Sequence, residues 1–163
     1  MSDRAYIGID NGVTGSIAYL LDGTVIFLPT PVFKEQSYTK KKQQITRVDH
    51  SELMRVLSPW KPARVFLERP FVNPHGFKAT VSALRALEAT LIIIETIGLS
   101  YQYIDSREWQ KVMLPVGIKG TADLKKASLD IGCRLFPEQV EQIQKHKDAD
   151  SLLIAEWARR LGL

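Results

Sequence analysis

Cysteine and long apolar runs are nearly absent from this sequence. The single cysteine, Cys133, excludes an internal disulfide bond and is typical of a protein from a reducing compartment. The longest apolar run, residues 90–99, is interrupted by Glu95 and is too short to span a lipid bilayer. The first ten residues do not have the layout of a signal peptide. We therefore expect a cytoplasmic protein without membrane association.

The composition is that of one globular domain with a mild basic excess. The 163 residues, 45% of them hydrophobic, are enough to bury one core, so we expect a single domain over residues 1–163. The 22 Lys and Arg residues exceed the 18 Asp and Glu residues, which gives a net charge of +4. This excess fits a polyanionic partner, although many basic proteins bind no nucleic acid.

The first thirty residues predict three antiparallel strands joined by short turns. Residues Arg4–Asp10 form an apolar stretch that ends at Asn11-Gly12, and Ser16–Leu21 forms the next. Asp22-Gly23 is a strong two-residue hairpin signal, so Thr24–Leu28 is predicted to complete the meander.

The rest of the chain predicts helices that alternate with two more strands. Residues from Pro29 to about Arg47 predict a flexible basic loop, with Lys40, Lys41 and Lys42 in its middle. The later elements are a helix at Asp49–Leu57 with Asp49 as N-cap, a buried strand that ends on Glu68, a helix at Lys78–Ile97, a strand at 100–105, a short helix capped by Ser106, a helix at Thr121–Leu135 and a final helix at Asp150–Leu161. This order predicts an α/β fold with a five-stranded mixed sheet, in which the later strands run parallel, flanked by helices.

Acidic residues occur at the ends of predicted buried elements. Asp10 ends the first strand, Glu68 ends the fourth, and Asp148 and Asp150 lie at the start of the last helix. If the two strands are neighbours, their carboxylates repel each other unless a cation lies between them. Mg²⁺ prefers such oxygen ligands, and two ions would suit three or four carboxylates.

Each acidic residue also has a purely structural interpretation. Asp10 could form the turn, Glu68 could pair with Arg69, and Asp148 or Asp150 could cap the helix. Coincidence explains all of these positions together less well than it explains any one of them alone.

Three segments in order resemble the active-site segments of RuvC-like Holliday junction resolvases: IGIDNGVTG, FLERPFV and KDADSLLIAEWARR. A WQK segment at 109–111 is similar to one in the phage-type members. The resemblance implies a ribonuclease H-like fold, a homodimer, a bacterial or phage-infected host cytoplasm, and paired nicking of four-way DNA junctions with two Mg²⁺ or Mn²⁺ ions per active site. It matches Asp10, Glu68 and Asp150 to the metal-binding carboxylates, and Phe71 to an aromatic wedge against an unpaired base.

The last segment departs from the family pattern. The family has a further carboxylate three residues before the last one, where this chain has Lys147. Asp148 can replace it only if it lies before the first helical turn, because residues two apart on a helix point about 200° apart. His146 would share a face with Asp150 on a continuous helix, where it could be a ligand or proton shuttle. A surface histidine is the alternative.

Basic and aromatic residues supply candidate DNA contacts. The candidates are Phe71, Arg69, His75, Lys78, Lys119, Lys125, Lys126 and the three lysines 40–42. Lys119 precedes a predicted helix start, where anions are favoured. Phe71 could stack on a base, whereas Phe77 is predicted to fill the core. The long helix 78–97 could form a dimer face or be an ordinary core helix.

Three other functions remain open from the sequence. The Asn11–Gly15 turn approximates the phosphate loop of actin-like sugar kinases, but that class needs a second lobe that 163 residues do not supply. A related nuclease of the same fold, acting on RNA–DNA hybrids or on flap or branched DNA, is the nearer alternative. A junction-binding protein without cleavage is the third.

Overall fold

The computed structural model describes residues 4–163 and contains the predicted five-stranded mixed sheet. Residues 1–3, part of the segment predicted to lack a signal peptide, lie outside the described residues. The strands are β1 (Ala5–Asp10), β2 (Ser16–Leu21), β3 (Thr24–Pro29), β4 (Val32–Gln36), β5 (Gln44–Val48), β6 (Ala63–Glu68) and β7 (Ser100–Ile104). The helices are α1 (His50–Leu57), α2 (Phe77–Ile97), α3 (Ser106–Met113), α4 (Thr121–Leu135), α5 (Val140–His146) and α6 (Asp150–Leu161).

The main sheet has the strand order β3-β2-β1-β6-β7. β1, β2 and β3 form the antiparallel meander, and β6 and β7 follow as parallel neighbours. The predicted antiparallel and parallel connections are therefore confirmed. Because β1 and β6 run parallel and adjacent, their carboxyl ends meet at one edge of the sheet.

Two hydrophobic clusters cover the two faces of this sheet. One face packs against α3–α6, with Trp109, Ile143 and Leu152 among its fully buried side chains. The other packs against α1 and α2, with Ile7 and Leu53 fully buried. None of the helices described between residues 4 and 163 is both long enough and apolar enough to cross a membrane.

The prediction of a flexible loop at 29–47 is wrong. Strands β4 and β5 pair with each other as a separate two-stranded antiparallel sheet, which we call the basic hairpin (residues 32–48). The Arg47 guanidinium lies 5.5 Å from the centre of the Phe33 ring and 2.8 Å from a Glu35 oxygen. These contacts between the two strands stabilise a hairpin whose sequence has little apolar alternation.

Two smaller predictions are also corrected. The cap of α3 is Asp105 rather than Ser106, and its backbone N–H donates to Glu108 Oε1 at 3.1 Å. Phe77 does not fill the core, because it opens α2 with its side chain 76% exposed. The cap predicted at Asp49 is confirmed, because Asp49 accepts from the Glu52 N–H, and Gly98 ends α2 in the left-handed conformation.

A candidate metal centre at the edge of the sheet

Close packing of α6 on the sheet determines where the acidic residues lie. A Cβ atom on Gly8 of β1 would fall 2.0 Å from the Ser151 carbonyl oxygen, so only glycine lets the helix approach this closely. Ser16 Oγ donates to Ser151 Oγ at 2.8 Å in the same buried contact. On the other side, a Cβ on Gly132 of α4 would fall 2.2 Å from Ala149 Cβ. The start of α6 is therefore fixed from two directions.

The chain reverses just before α6, which separates Asp148 from the helix. Lys147 adopts a left-handed conformation with φ of 77° and ends α5, and α6 begins at Asp150. Asp148 thus lies before the first turn of α6, as it must to face the same point as Asp150. The helix is not continuous from His146 to Asp150, so the face-sharing argument for His146 does not apply.

Three of the acidic residues converge on one point. Asp10, Asp148 and Asp150 each offer an oxygen within 4.8 Å of the other two. Glu68 lies beside Asp10, and when Asp10 is protonated its carboxyl group donates a hydrogen bond to Glu68. We call these four residues the acidic cluster. Arg69 does not pair with Glu68, because its guanidinium contacts Asp105 at 2.9 Å.

Residues from two further helices hold the acidic cluster in place. Trp109 of α3, fully buried, donates its indole N–H to Glu68 Oε1 at 2.8 Å. Lys125 of α4 donates to Asp148 Oδ2 at 2.9 Å, and Ser128 of the same helix donates to Asp150 Oδ1. Ser128 Oγ also accepts from the Ala149 backbone N–H at 3.0 Å. Glu68, Asp148 and Asp150 are thus oriented before any ligand arrives.

The acidic cluster carries more negative charge than its surroundings neutralise. Burial, followed by the charges of Asp150 and its other acidic neighbours, raises the pKa of Asp10 well above its ordinary value. Burial and then the charge of Asp148 raise the pKa of Asp150 to about 7. Burial also raises the pKa of Glu68, against the opposing hydrogen bond from Trp109. The carboxyl groups therefore cannot all be ionised at neutral pH without added positive charge.

A divalent cation fits this donor set. The cluster offers only carboxylate oxygens, which hard cations such as Mg²⁺ and Mn²⁺ prefer. Such a cation would offset both the burial and the mutual repulsion that raise the pKa values of Asp10, Glu68 and Asp150. The groups present are therefore those of a candidate metal centre, with Asp10, Asp148 and Asp150 closest together.

His146 lies at the border of this centre. Its Nε2 is 3.5 Å from Asp148 Oδ1, and this buried nitrogen has no hydrogen-bond partner among residues 4–163. The ring packs edge-on against Phe27 with 5.5 Å between centres. His146 is therefore not a surface histidine, and its role as proton shuttle stays a prediction.

Most of the candidate DNA-contacting residues are exposed. Phe71 follows β6 with 83% of its surface exposed, so it is not a core residue. Lys78 and Lys119 are exposed in the first turn of α2 and in the loop before α4, and Lys40, Lys41 and Lys42 lie at the tip of the basic hairpin. Lys125, another candidate DNA contact, pairs with Asp148 at 2.9 Å, and its contact with DNA stays a prediction.

Sequence reasoning missed the supporting roles of Trp109, Ser128 and Lys125. Trp109 was part of the WQK resemblance, but no local pattern indicated that its indole would reach Glu68, 41 residues earlier. Ser128 and Lys125 are spaced three apart on one helix, and this spacing places both on the same face of α4.

Comparison with solved structures identifies proteins of the same fold. The chain is similar to Thermus thermophilus RuvC in complex with a Holliday junction substrate, with 13% identity, a TM-score of 0.58, and coverage of 98% of this chain and 96% of that one. A second structure of Thermus thermophilus RuvC gives 14% identity, a TM-score of 0.54, and coverage of 98% and 97%. No protein-family model and no curated protein matches the chain. These similarities show that the chain has the ribonuclease H-like fold that RuvC has.

Proposed function

We propose that the protein is a structure-specific DNA endonuclease that resolves four-way junctions by metal-dependent paired nicking. The observation that carries this proposal is the acidic cluster at the edge of the sheet, where buried and partly buried carboxylates converge without enough positive charge. The similar fold of a RuvC protein bound to a Holliday junction supports the choice of substrate. The proposed activity requires a compartment that contains DNA, which agrees with the cytoplasm expected from the sequence.

The acidic cluster would hold the metal ions. Asp10, Asp148 and Asp150 would supply oxygen ligands from the start of α6 and the end of β1, and Glu68 would complete the set from β6. Two Mg²⁺ or Mn²⁺ ions, when bound, supply the charge that activates a water and stabilises the departing oxygen.

The chain's own residues prepare the centre for that chemistry. Trp109, Lys125 and Ser128 fix three carboxylates in orientation, so that little rearrangement is needed when substrate arrives. His146 is close enough to Asp148 to hold or pass on a proton near the centre. Burial of the carboxylates excludes bulk water and strengthens each electrostatic interaction.

Exposed residues of the segment after β6, the first turn of α2 and the loop before α4 would contact the junction. Phe71 is free to stack on an unpaired base, and stacking of this kind contributes about 1–3 kcal/mol. Lys78, Lys119 and Arg69 are exposed and would contact phosphates. A homodimer would place two such centres on one symmetric junction. Leu84 and Ile92, exposed on α2, make that helix the candidate dimer face.

The experiment that tests the proposal is cleavage of a labelled four-way junction, with and without Mg²⁺, by the protein and by Glu68→Gln. We expect the substitution to slow nicking by at least about a thousandfold, an increase in barrier of about 4 kcal/mol. Junction binding should persist, because the substitution removes negative charge. Glu141→Gln, which alters an exposed acid on α5, is the matched control.

The same assay separates the alternatives. Cutting of RNA–DNA hybrids or flaps in preference to junctions would favour a related nuclease of this fold. Binding without nicks in Mg²⁺ or Mn²⁺ would favour a junction-binding protein. Full activity of Glu68→Gln would contradict the assigned centre.

A further inference from the structure

The basic hairpin is an ordered two-stranded arm rather than a flexible loop. Its strands pair only with each other among the described residues, so it stands apart from the main sheet. The Ser37 N–H donates to the Gln43 carbonyl at 2.7 Å, and the Gln43 N–H donates to the Lys41 carbonyl at 2.8 Å. These bonds close the tip beyond the paired strands.

The arm carries the whole positive excess of the protein. Residues 32–48 contain five basic residues and one acidic residue, a net charge of +4 that equals the net charge of the chain. The remaining 17 basic and 17 acidic residues balance. A polyanion approaching the protein is therefore attracted chiefly to this segment.

Strand register places the base of the arm at the edge of the sheet that holds the acidic cluster. Asp10 pairs with Ser16, and Ser16 pairs with Pro29, the last residue of β3. The arm begins three residues later, and the Asp49 N–H closes its base by donating to the Pro31 carbonyl at 2.8 Å. Five residues of strand extend about 17 Å, comparable to the width of a DNA duplex.

The tip combines an aromatic ring with cations. Tyr38 is 83% exposed, and Lys40, Lys41 and Lys42 that follow it are all exposed. An exposed ring beside cations is the combination with which proteins hold unpaired nucleotides, the ring stacking on a base while the cations contact phosphates.

We infer that the basic hairpin is a second DNA-contacting arm, in which Tyr38 stacks on an unpaired base of branched DNA and Lys40–Lys42 contact the adjacent phosphates. This inference rests on the proposed function and adds to it a stacking residue and an anchoring point separate from Phe71. The arm would hold DNA at a distance from the acidic cluster.

The first test is binding of a fluorescent four-way junction, in EDTA, by Tyr38→Ala and Tyr38→Phe. Tyr38→Ala should weaken binding about tenfold, the effect of losing one stacked base, and Tyr38→Phe should bind like the unaltered protein. Melting temperatures of both variants should be unchanged, because the side chain is exposed. Equal binding by all three proteins would overturn the role of Tyr38.

The second test compares two triple substitutions that remove the same charge. Lys40, Lys41 and Lys42 are changed to Gln in one variant, and Arg4, Lys61 and Arg134, outside the arm, are changed to Gln in the other. The plot of log affinity against log salt concentration has a negative slope. The first variant should reduce the magnitude of that slope by about 2 to 3, because each lost phosphate contact removes about 0.9. A similar loss in both variants would show that only net charge matters and would overturn the inference.

Failure of this inference is distinguishable from failure of the proposed function. If the unaltered protein nicks junctions in Mg²⁺ and the arm variants bind as well as it does, the arm inference is wrong and the nuclease stands. If the unaltered protein does not nick but binds DNA through Tyr38 and the lysines, the arm inference stands without the nuclease.

Discussion

Helix α6 carries two shielded carboxylates, Asp150 at its start and Glu156 near its middle, and their surroundings differ. Glu156 is 4% exposed and accepts hydrogen bonds from Arg159 at 2.7 and 2.8 Å and from Arg160 at 2.7 Å. Burial alone would raise the pKa of Glu156, but the two arginines outweigh it and lower the pKa below its ordinary value. At the N-terminal end, Asp150 has acidic neighbours, and its pKa rises to about 7.

The comparison shows that burial of an acid is not by itself evidence of a functional centre. Glu156 is matched by fixed cations of the chain, so nothing further is needed to stabilise it. The acidic cluster has Lys125 as its close lysine partner. The excess negative charge that remains can be neutralised by a cation from solution. The unbalanced charge, rather than the burial, distinguishes the candidate metal centre.

The largest expected difference is between Asp10→Asn and Glu156→Gln. We expect Asp10→Asn to slow junction nicking by at least about a thousandfold while raising the stability of the metal-free protein, because it removes a repelling buried charge. Glu156→Gln should leave nicking nearly unchanged but lower stability, because it leaves two arginines without their partner. Nicking rates and denaturant unfolding measure both. Equal effects on nicking would remove the distinction between the acidic cluster and Glu156.

A smaller effect is expected from Trp109→Phe. The substitution keeps an aromatic ring in the core but removes the donor to Glu68, and loss of such an orienting bond lowers metal affinity by about 10- to 100-fold. Titration calorimetry with Mn²⁺ measures the affinity. Trp157→Phe is the matched control, because the buried Trp157 Nε1 has no hydrogen-bond partner within the described part of the chain. An unchanged Mn²⁺ affinity in Trp109→Phe would show that Glu68 needs no orienting donor.

Lys125→Met tests whether the lysine competes with the metal. Removing this cation makes the acidic cluster more negative, so Mn²⁺ affinity should rise by about three- to fivefold, the magnitude expected of a partly exposed ion pair. The metal-free protein should become less stable at neutral pH. Lys126→Met, next in the chain and exposed, should change neither quantity. A fall in affinity would mean that Lys125 organises the ligands more than it competes with the ion.

The smallest effect is a pH dependence of opposite sign for the two carboxylates of α6, Asp150 and Glu156. Asp150 has an ordinary pKa of 3.8 and a folded pKa of about 7, so the metal-free protein should lose stability as pH rises between these values. Mn²⁺ should therefore raise the melting temperature by a few degrees more at pH 8 than at pH 5.5. Glu156 acts oppositely, because its pKa is lowered: its contribution disappears as pH falls below its ordinary value of 4.5. A Mn²⁺ effect that is independent of pH would contradict the raised pKa of Asp150.

Strong turn signals made the main sheet predictable, whereas the basic hairpin has no comparable sequence pattern. Asn11-Gly12 and Asp22-Gly23 bound apolar strands, so β1–β3 and their pairing followed from the sequence. The strands of the basic hairpin are mostly polar and are stabilised by a cation–ring contact and an ion pair, which leave no alternating apolar pattern. Helix α5 was missed because it has only seven residues and buries only Ile143.

Local spacing accounts for the errors at α3 and α2. Asp105 and Glu108 have the spacing of a capping box, which should have outweighed Ser106. Phe77, predicted to fill the core, instead lies at a helix start that follows an exposed loop.

The acidic residues of the candidate site were visible in the sequence, and their supports were not. Asp10 and Glu68 could be expected to meet because adjacent parallel strands end at one edge. Trp109 and Ser128 reach the carboxylates through the packing of α3 and α4, which no short sequence pattern specifies. Their contribution is therefore a result of tertiary structure.

The two glycine contacts at the start of α6 limit how the centre can respond to its ligands. Gly8 allows α6 to pack closely on the sheet, and Gly132 allows α4 to pack closely against the residue before α6. Because both contacts are close, Asp148 and Asp150 have little room to move apart for a bulkier ion. We expect adjustment to DNA to come instead from segments without such close contacts, above all the exposed segment between β6 and α2.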